Sequence, residues 1–270
     1  MRQPDGLELF PQIGQLAVEA GTAVLRIYMD SAGADVLVSH KSDDSPLTLA
    51  DLASHQRIVE GLARLTPDIP VVSEEDSASL ACRQSQGRFW LVDPLDGTKE
   101  FLARNGEFTV NIALVEDGAP VWGVVHAPAI GQLFWGGQAY GSFRRGASGT
   151  VALSVSAPVP PGQTFRVVAS KSHLNAETSA FIDGLGSVAL VQAGSSLKFC
   201  RIAEGSADVY PRLAPTCEWD TAAAQAVLEG AGGHVYDTHG DRLRYGKPDV
   251  LNPDFIAASV PLSQLKSTLG

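Results

Sequence analysis

FWLVDPLDGTKEF, residues Phe89–Phe101, is the stretch that decides how this chain is interpreted. Trp90–Val92 is a short apolar run typical of a buried strand, and the proline and glycine that follow end regular structure. We therefore expect the strand to stop at Asp93 and a turn to follow it. Asp93 and Asp96 stand three residues apart across that turn. Both carboxylates are expected to point toward one place.

The chemistry of this turn suits a divalent metal ion. Hard cations take carboxylate and carbonyl oxygens, so Asp93, Asp96 and the Leu95 carbonyl are candidate ligands. The same residue types also suit a simple turn, because Asp, Pro and Gly dominate turns for backbone reasons. The segment alone leaves the two interpretations open.

Two further acidic clusters stand at the ends of predicted elements. Glu74, with two more acidic residues after it, follows the β-type run Val71–Ser73. Asp220 precedes Thr221–Leu228, an alanine-rich segment that predicts a helix closed by glycines. Taken singly, such clusters are commonly solvated loops or helix caps. Three of them at element ends favour a metal site.

Several segments resemble a known family of enzymes. Three resemble the motifs of the lithium-sensitive, magnesium-dependent phosphatases of the inositol monophosphatase superfamily: Glu74-Glu75, DPLDGT at Asp93–Thr98, and Trp219-Asp220. Others resemble the bacterial 3′(2′),5′-bisphosphate nucleotidase (CysQ-type) branch of that superfamily: KEF at Lys99–Phe101, Asn105–Asn111, Ser170–His173 and Gly194–Cys200. The resemblance extends from about Lys41 to Asn252.

The resemblance implies a metal-dependent phosphomonoesterase site. Glu74, Asp93 and the Leu95 carbonyl would hold one magnesium ion, and Asp93, Asp96 and Asp220 another. The family implies two or three magnesium ions for each active site, Glu74 among the catalytic residues, and inhibition by lithium. Metal pairs of this kind neutralise the phosphoryl group, activate water and stabilise the leaving oxygen.

Thr98 is predicted to orient the nucleophilic water. A threonine hydroxyl is too weak an acid to act as a base alone, so it needs an acceptor for its proton. Asp51 is the predicted acceptor, because the segment Pro46–Asp51 resembles the family motif that ends in such an aspartate. The alternative is that Asp51 only favours a helix near its N-terminus.

Phosphate and nucleotide contacts are predicted in three places. Backbone N–H groups of Gly97 and Thr98, at the start of a predicted short helix, suit an anion, and Asp220 lies near a similar helix start. The resemblance implies further contacts from Ser170, His173, Ser195, Ser196 and Lys198. The alternatives are a structural histidine and serines that only cap a helix.

The fold expected is α+β followed by α/β. Amphipathic helices are predicted at Leu7–Tyr28 and Asp51–Leu65, and strands interrupted only by turns from Val71 to about Val155. Strands then alternate with helices: strands at Arg166–Ser170, Val188–Gln192 and Ala207–Tyr210, and helices at Ala176–Asp183, Ser196–Glu204 and Thr221–Leu228. That alternation predicts a sheet flanked by helices.

The proline-rich segment Ala157–Gly162 is the predicted domain boundary. An α+β domain, residues 1–156, would carry most metal ligands. An α/β domain, residues 157–270, would carry Asp220 and the segments that recognise substrate. The resemblance implies a layered αβαβα sandwich of the inositol monophosphatase and sugar phosphatase type, with the active site between the domains.

Composition limits the class of partner. The net charge is −10 and no basic cluster is present, which argues against binding a nucleic-acid polymer. A small substrate is expected instead, and the resemblance implies a nucleotide bisphosphate. Three cysteines without Cys-x-x-Cys spacing predict reduced thiols. Ala119–Phe143 has no charged residue, but its prolines and glycines favour strands over a transmembrane segment.

The sequence therefore predicts a cytoplasmic enzyme that removes the 3′-phosphate of adenosine 3′,5′-bisphosphate to give AMP, with its sulfated relative as a further substrate in sulfur assimilation. The alternatives are an inositol monophosphatase, a phosphatase similar to fructose-1,6-bisphosphatase, and a noncatalytic metal- or nucleotide-binding module. Monomer and homodimer both stay open, as does peripheral attachment to the cytoplasmic side of the inner membrane.

Overall fold

A computed structural model describes residues 8–30, 38–40, 46–85, 87–160, 162–169 and 175–269. The chain begins with helix α1 (Leu9–Asp30), a short antiparallel pair β1 (Val38–His40) and β2 (Pro46–Thr48), and helix α2 (Leu49–Leu65). Both predicted amphipathic helices are confirmed, each shifted at its start by two residues. A capping box made by Thr48 and Asp51 defines the beginning of α2.

A seven-stranded sheet follows. Its elements in chain order are β3 (Val71–Ser73), α3 (Cys82–Ser85), β4 (Arg88–Asp96), α4 (Thr98–Leu102), β5 (Thr109–Glu116), β6 (Ala119–Ala127), β7 (Gln132–Gly137), β8 (Gly141–Gly146) and β9 (Gly149–Ala152). The strands lie side by side in sequence order. Strand β3 runs parallel to β4, and the remaining pairs are antiparallel. The uncharged segment that could have suggested a membrane span is β6–β8.

The prediction that the strand stops at Asp93 is wrong. Strand β4 continues to Asp96, although its pairing with β5 shifts register between Asp93 and Asp96. Two residues, Pro94 and Leu95, there face Val110 alone, which is the geometry of a β-bulge. A bulge tolerates proline because it needs no ladder N–H at that position.

The expectation that only turns interrupt these strands is wrong, because short helical segments also lie between them. A 3₁₀ turn at Ser77–Ala81, α3, α4 and a second 3₁₀ turn at Pro128–Ile130 lie between the strands. The first begins where the Asp76 side chain accepts a hydrogen bond of 3.1 Å from the N–H of Ala78. Such a local bond gives the backbone an alternative to strand pairing.

The second half of the chain forms a five-stranded mixed sheet with helices. In chain order its elements are β10 (Phe165–Ala169), α5 (Ala176–Gly184), β11 (Val188–Gln192), α6 (Leu197–Ala203), β12 (Val209–Arg212), α7 (Ala222–Gly230), β13 (His234–Asp237), β14 (Phe255–Ala258) and α8 (Leu262–Leu269). The strand order is β11-β10-β12-β14-β13. The predicted alternation of strands and helices is confirmed up to α7, with bounds that differ by at most two residues, whereas β13, β14 and α8 were not predicted.

Hydrophobic contacts define five layers. One cluster packs α1 and α2 against one face of the large sheet, through residues such as Trp90 and Trp122. A second joins the other face to α6, α7 and the five-stranded sheet, and a third packs α5 and α8 on the outer face of that sheet. The predicted αβαβα arrangement is confirmed. Because one cluster includes residues from both halves, a domain boundary at Ala157–Gly162 stays a prediction.

Of the three cysteines, Cys200 is buried, whereas Cys82 and Cys217 are half-buried. Burial raises the pKa of the Cys200 thiol far above its ordinary value, so this group stays protonated. Within the described part of the chain, no helix is long and apolar enough to cross a membrane.

Candidate active site

Strand pairing brings the first two acidic clusters together. Because β3 is parallel to β4 with Ser73 beside Val92, the next residue of each strand places Glu74 beside Asp93. The Glu74 N–H donates to the Val92 carbonyl at 3.1 Å, which extends this pairing by one residue. The two carboxylates therefore lie at the same end of the sheet, although 19 residues separate them in sequence.

Asp93 is the most deeply placed acid of the cluster. Its side chain is 1% exposed, and its Oδ1 accepts a hydrogen bond of 3.1 Å from the Leu95 N–H. Burial, and then the negative charges of Glu74, Asp96 and Asp220, raise the pKa of the Asp93 carboxyl well above its ordinary value. The acids of all three sequence clusters thus act on one another electrostatically.

Asp96 is held by a network that the sequence did not reveal. Its Oδ2 accepts hydrogen bonds from Ser195 Oγ at 2.5 Å, from the Ser196 N–H at 2.7 Å and from Ser196 Oγ at 2.9 Å. Asn111 Nδ2, across the bulge, is a further donor at 3.3 Å. Ser196 braces this carboxylate, since both its N–H and its hydroxyl donate to Asp96, and its predicted contact with substrate stays a prediction.

Asp220 closes the cluster from the other half of the chain. It ends the 3₁₀ turn Glu218–Asp220, directly before α7, and its Oδ2 accepts the Cys217 N–H at 2.8 Å. Burial and then the charges of Asp96 and Glu74 raise the pKa of the Asp220 carboxyl well above its ordinary value. The helix start predicted for Asp220 is confirmed, and so is its place beside the other acids.

The donor set fits a hard divalent cation. Buried carboxylates that raise one another's pKa create a site where a bound cation would relieve both burial and repulsion. Across the described ranges, no three acidic, histidine or cysteine side chains already surround a single point as a finished cation site. At Asp96, one carboxylate oxygen already accepts hydrogen bonds from Ser195 and Ser196 and so does not point freely toward the other acids.

Thr98 and Asp51 meet as predicted. The Thr98 hydroxyl lies 3.4 Å from Asp51 Oδ1 and 3.4 Å from the Leu95 carbonyl, both long for a hydrogen bond. The other oxygen of Asp51 accepts from the N–H and hydroxyl of Thr48, at 2.8 and 2.6 Å. Asp51 therefore also caps α2, while its role as the acceptor of the Thr98 proton in catalysis stays a prediction.

The loop before α6 approaches the metal cluster closely. Gly97 lies at φ 87°, and a Cβ there would come within 3.3 Å of Ser195 Cβ. A Cβ on Gly194 would lie 2.9 Å from backbone and side-chain atoms of Glu107. Ser195 itself has φ 51°, which is rare for a residue with a side chain. The Ser195 hydroxyl lies 2.6 Å from the Thr109 hydroxyl. This hydrogen bond and the one to Asp96 compensate for the backbone strain.

Next to Asp96 and Asp220 lies a cavity of about 130 Å³ that contains two cations, Lys198 and Arg212. Lys198 is 8% exposed, and its Nζ donates to the Ser195 carbonyl at 2.8 Å. Burial lowers the pKa of the Lys198 ammonium, while the charge of Asp96 opposes that effect. Ser195 also lines the cavity. Gly97 and Thr98 do not line it, although Asp96, directly before them in the chain, does.

Arg212 is the residue that sequence reasoning missed. Its Nη2 donates to the Pro215 carbonyl at 3.0 Å, but its buried Nε has no hydrogen-bond partner in the structure. A buried donor without an acceptor costs free energy, so this atom suits an anionic ligand. The available signal was its position directly after a predicted strand, where site residues of helix-flanked sheets tend to lie. Ser170 and His173 lie outside the described residues, so their predicted contacts stay predictions.

Comparisons with known proteins agree on one family. The model of the inositol monophosphatase family matches residues 10–269 of this chain. A protein named 3′(2′),5′-bisphosphate nucleotidase CysQ from Salmonella typhimurium (strain LT2) is 46% identical over 248 residues, which cover 92% of this chain and 98% of that protein.

Solved structures give the same result. The crystal structure of CysQ from Bacteroides thetaiotaomicron, described as a bacterial member of the inositol monophosphatase family, has a TM-score of 0.78 and 41% identity, and the match covers 91% of this chain and 95% of that one. The extragenic suppressor protein suhB from Bartonella henselae has a TM-score of 0.76 at 24% identity, covering 97% and 98%, and so shares the fold.

Proposed function

This chain belongs to the inositol monophosphatase family, and on that premise we propose that it is a 3′(2′),5′-bisphosphate nucleotidase. The reaction is hydrolysis of the 3′-phosphate of adenosine 3′,5′-bisphosphate to give AMP and phosphate, with the sulfated relative as a further substrate. The relatives that carry this name match the chain over nearly its whole length. The alternative substrates are inositol phosphates and fructose 1,6-bisphosphate; the structure titled Thermotoga maritima IMPase TM1415 is 22% identical, so its likeness shows the fold alone.

One observation carries the proposal: two buried or half-buried cations stand beside the acidic cluster. Lys198 and Arg212 line the same cavity as Asp96 and Asp220. Such cations serve no purpose in a cation site alone, but they suit a substrate that carries a second phosphate. A bisphosphate nucleotide meets that description, whereas an inositol monophosphate does not.

Five groups would hold magnesium: the side chains of Glu74, Asp93, Asp96 and Asp220 and the carbonyl of Leu95. When bound, two ions would supply Lewis-acid stabilisation of the phosphoryl group and lower the pKa of a bound water. The resemblance assigns Asp93 to both positions, and its burial would fix the direction of its carboxylate. Lithium is expected to inhibit by occupying one of these positions, as the family resemblance implies.

Thr98 and Asp51 would orient the attacking water. The Thr98 hydroxyl donates a hydrogen bond to Asp51 Oδ1. The lone pairs of Thr98 Oγ1 are then available to accept a hydrogen bond from water. The capping bonds from Thr48 hold the other Asp51 oxygen, so the carboxylate cannot rotate away. Hydrogen bonds of this kind are commonly long without substrate and shorten in the reacting complex.

Ser195, Lys198 and Arg212 would bind the phosphate that is not hydrolysed. Lys198 retains two N–H donors after its bond to Ser195, and Arg212 retains Nε. The N–H groups of Gly97 and Thr98 are proposed for the phosphoryl group that reacts. Contacts from Ser170 and His173 to the nucleotide are also proposed, and they rest on the family resemblance alone.

The cytoplasmic location and the monomeric or dimeric state remain predictions, and no observation on the described residues supports peripheral membrane attachment. A nucleic-acid polymer remains an unexpected partner because the net charge is −10.

Phosphate release from four esters tests the proposal: adenosine 3′,5′-bisphosphate, adenosine 3′-phosphate, inositol 1-phosphate and fructose 1,6-bisphosphate, each with magnesium and with chelator. We expect the highest kcat/KM on the adenosine bisphosphate, no turnover in chelator, and inhibition by lithium below concentrations that change ionic strength. A preference for either non-nucleotide ester would overturn the assignment.

A further inference from the structure

A second cavity, of about 300 Å³, lies between α1 and the β6–β8 part of the large sheet. It shares no lining residue with the cavity that contains Lys198 and Arg212. The two cavities also lie on opposite faces of the large sheet, because Trp122 belongs to the cluster under α1, whereas Phe199 belongs to the cluster between the sheets. None of the residues assigned to the proposed activity lines this second cavity.

Aromatic rings form most of its wall. Phe10 stacks on Trp122 with ring centroids 4.4 Å apart and an interplanar angle of 4°, and Tyr140 meets Phe10 edge-on at 5.0 Å. On the other side, Trp135 stacks on Phe143 at 5.8 Å. Such pairs hold their rings in fixed orientations, so the wall presents flat apolar faces and edges to whatever enters.

A glycine keeps the cavity open. Gly14 lies in the middle of α1, where glycine is less favourable than alanine. Close packing explains the other glycine of this helix, because a Cβ on Gly21 would lie 2.2 Å from His126 Nδ1. A Cβ on Gly14 would meet nothing closer than Leu133 Cδ2 at 3.9 Å. Packing therefore does not require this glycine, and its missing side chain leaves room beside Trp122.

Arg145 stands at the rim of this cavity. Side chains alternate along β8, so Phe143 and Arg145 point to the α1 side, whereas Arg144 points to the other side and pairs with Glu204 at 2.8 Å. Among the residues that the structure describes, no carboxylate pairs with Arg145. A guanidinium that no described carboxylate pairs with, beside aromatic walls, is complementary to an anionic group on a flat ligand.

We propose that this cavity is a binding site for a small planar aromatic anion, whose rings lie against Phe10, Trp122 and Trp135 and whose carboxylate or sulfonate pairs with Arg145. Its volume lies at the lower end of the range for small-molecule sites. The site is separate from the catalytic cluster, so its ligand binds together with substrate. This inference does not depend on the proposed phosphatase activity.

The test uses 8-anilinonaphthalene-1-sulfonate as the probe, with calorimetry for stoichiometry and quenching of tryptophan fluorescence for location. We expect one probe per chain, not displaced by saturating AMP. Gly14→Leu fills the space and should weaken binding at least tenfold, while Gly14→Ala, the matched control, should change it by less than about twofold because its methyl group has room. Thermal unfolding checks that both variants fold.

The uncharged analogue N-phenyl-1-naphthylamine isolates the role of Arg145. Arg145→Gln should weaken the sulfonate about fivefold and leave the neutral probe unchanged, and Arg64→Gln, an exposed arginine on α2, should change neither. This comparison decides the question even if Gly14→Leu fails to fold. Binding unaffected by Gly14→Leu, an equal loss for both probes in Arg145→Gln, or binding only after removal of residues 1–7 would overturn the proposal. The last result would assign the cavity to the N-terminus of the chain itself.

Discussion

Replacement of Lys198 is the sharpest test of substrate recognition. Lys198→Met keeps the length of the side chain and removes its charge. Its ammonium is buried, donates once within the protein at 2.8 Å, and faces a cavity that it shares with Arg212. If the two remaining N–H groups bind the second phosphate of a nucleotide, the loss should appear only with substrates that have that phosphate.

The expected size follows from the strength of a charged hydrogen bond. One such bond contributes about 1.5–3 kcal/mol, so kcat/KM on adenosine 3′,5′-bisphosphate should fall by about ten- to a hundredfold. With adenosine 3′-phosphate, which lacks only the 5′-phosphate, the fall should stay below about threefold. Burial lowers the pKa of the Lys198 ammonium, so wild type and variant are compared at one fixed pH.

The measurement is the ratio of kcat/KM for the two substrates in wild type and variant. Lys99→Met serves as the matched control, because Lys99 is exposed and lies on α4 near the same cavity. An unchanged ratio with both substrates equally slowed would refute the reasoning. It would show that Lys198 acts by holding the Ser195 carbonyl, and through that loop the carboxylate of Asp96.

Three further predictions concern the metal cluster, the water and the pH dependence of stability. Asp96→Asn removes a charge from the metal cluster, and kcat should fall by more than roughly a hundredfold on every substrate while the thermal unfolding temperature changes little. Thr98→Val removes the hydroxyl that orients water, and kcat should fall by about a hundredfold or more, whereas Thr98→Ser should retain most activity. His126 is buried against α1, and this burial lowers its pKa to about 4. The folded state thus binds fewer protons than the unfolded state between about pH 6.5 and pH 4, and stability falls as the pH falls through that window; His126→Asn should remove about 2 kcal/mol of the loss between pH 7 and pH 5.

Each of these predictions has a result that contradicts it. Full activity of Asp96→Asn in chelator would exclude the metal mechanism. Equal rates for Thr98→Val and Thr98→Ser would show that the hydroxyl takes no part in the reaction. For His126, urea unfolding of wild type and variant at pH 7 and pH 5 decides: parallel losses of stability in both proteins would assign the pH dependence to other groups.

The positions of helices and strands were largely predictable because each depends on local patterns. Apolar spacing located α1 and α2, and glycines and prolines located the turns between strands. Residue type left the turn at Asp93–Thr98 open between a metal site and a simple turn, and the family resemblance of DPLDGT and Trp219-Asp220 pointed to the acids. The extra length of β4 was not predictable in this way, because a proline that would normally end a strand is tolerated in a bulge that only the partner strand β5 creates.

The sequence by itself determined which residue types are present for chemistry: acids at element ends, a threonine after them, and a lysine after a glycine-serine turn. The tertiary structure alone decided how they meet. Strand register places Glu74 beside Asp93, and the loop before α6 carries Ser195 and Ser196 to Asp96 across about a hundred residues of chain. Arg212 becomes part of the site only through this folding, because its neighbours in space are remote in sequence. Contacts between distant segments depend on sheet register and layer packing, which no local pattern of residues specifies.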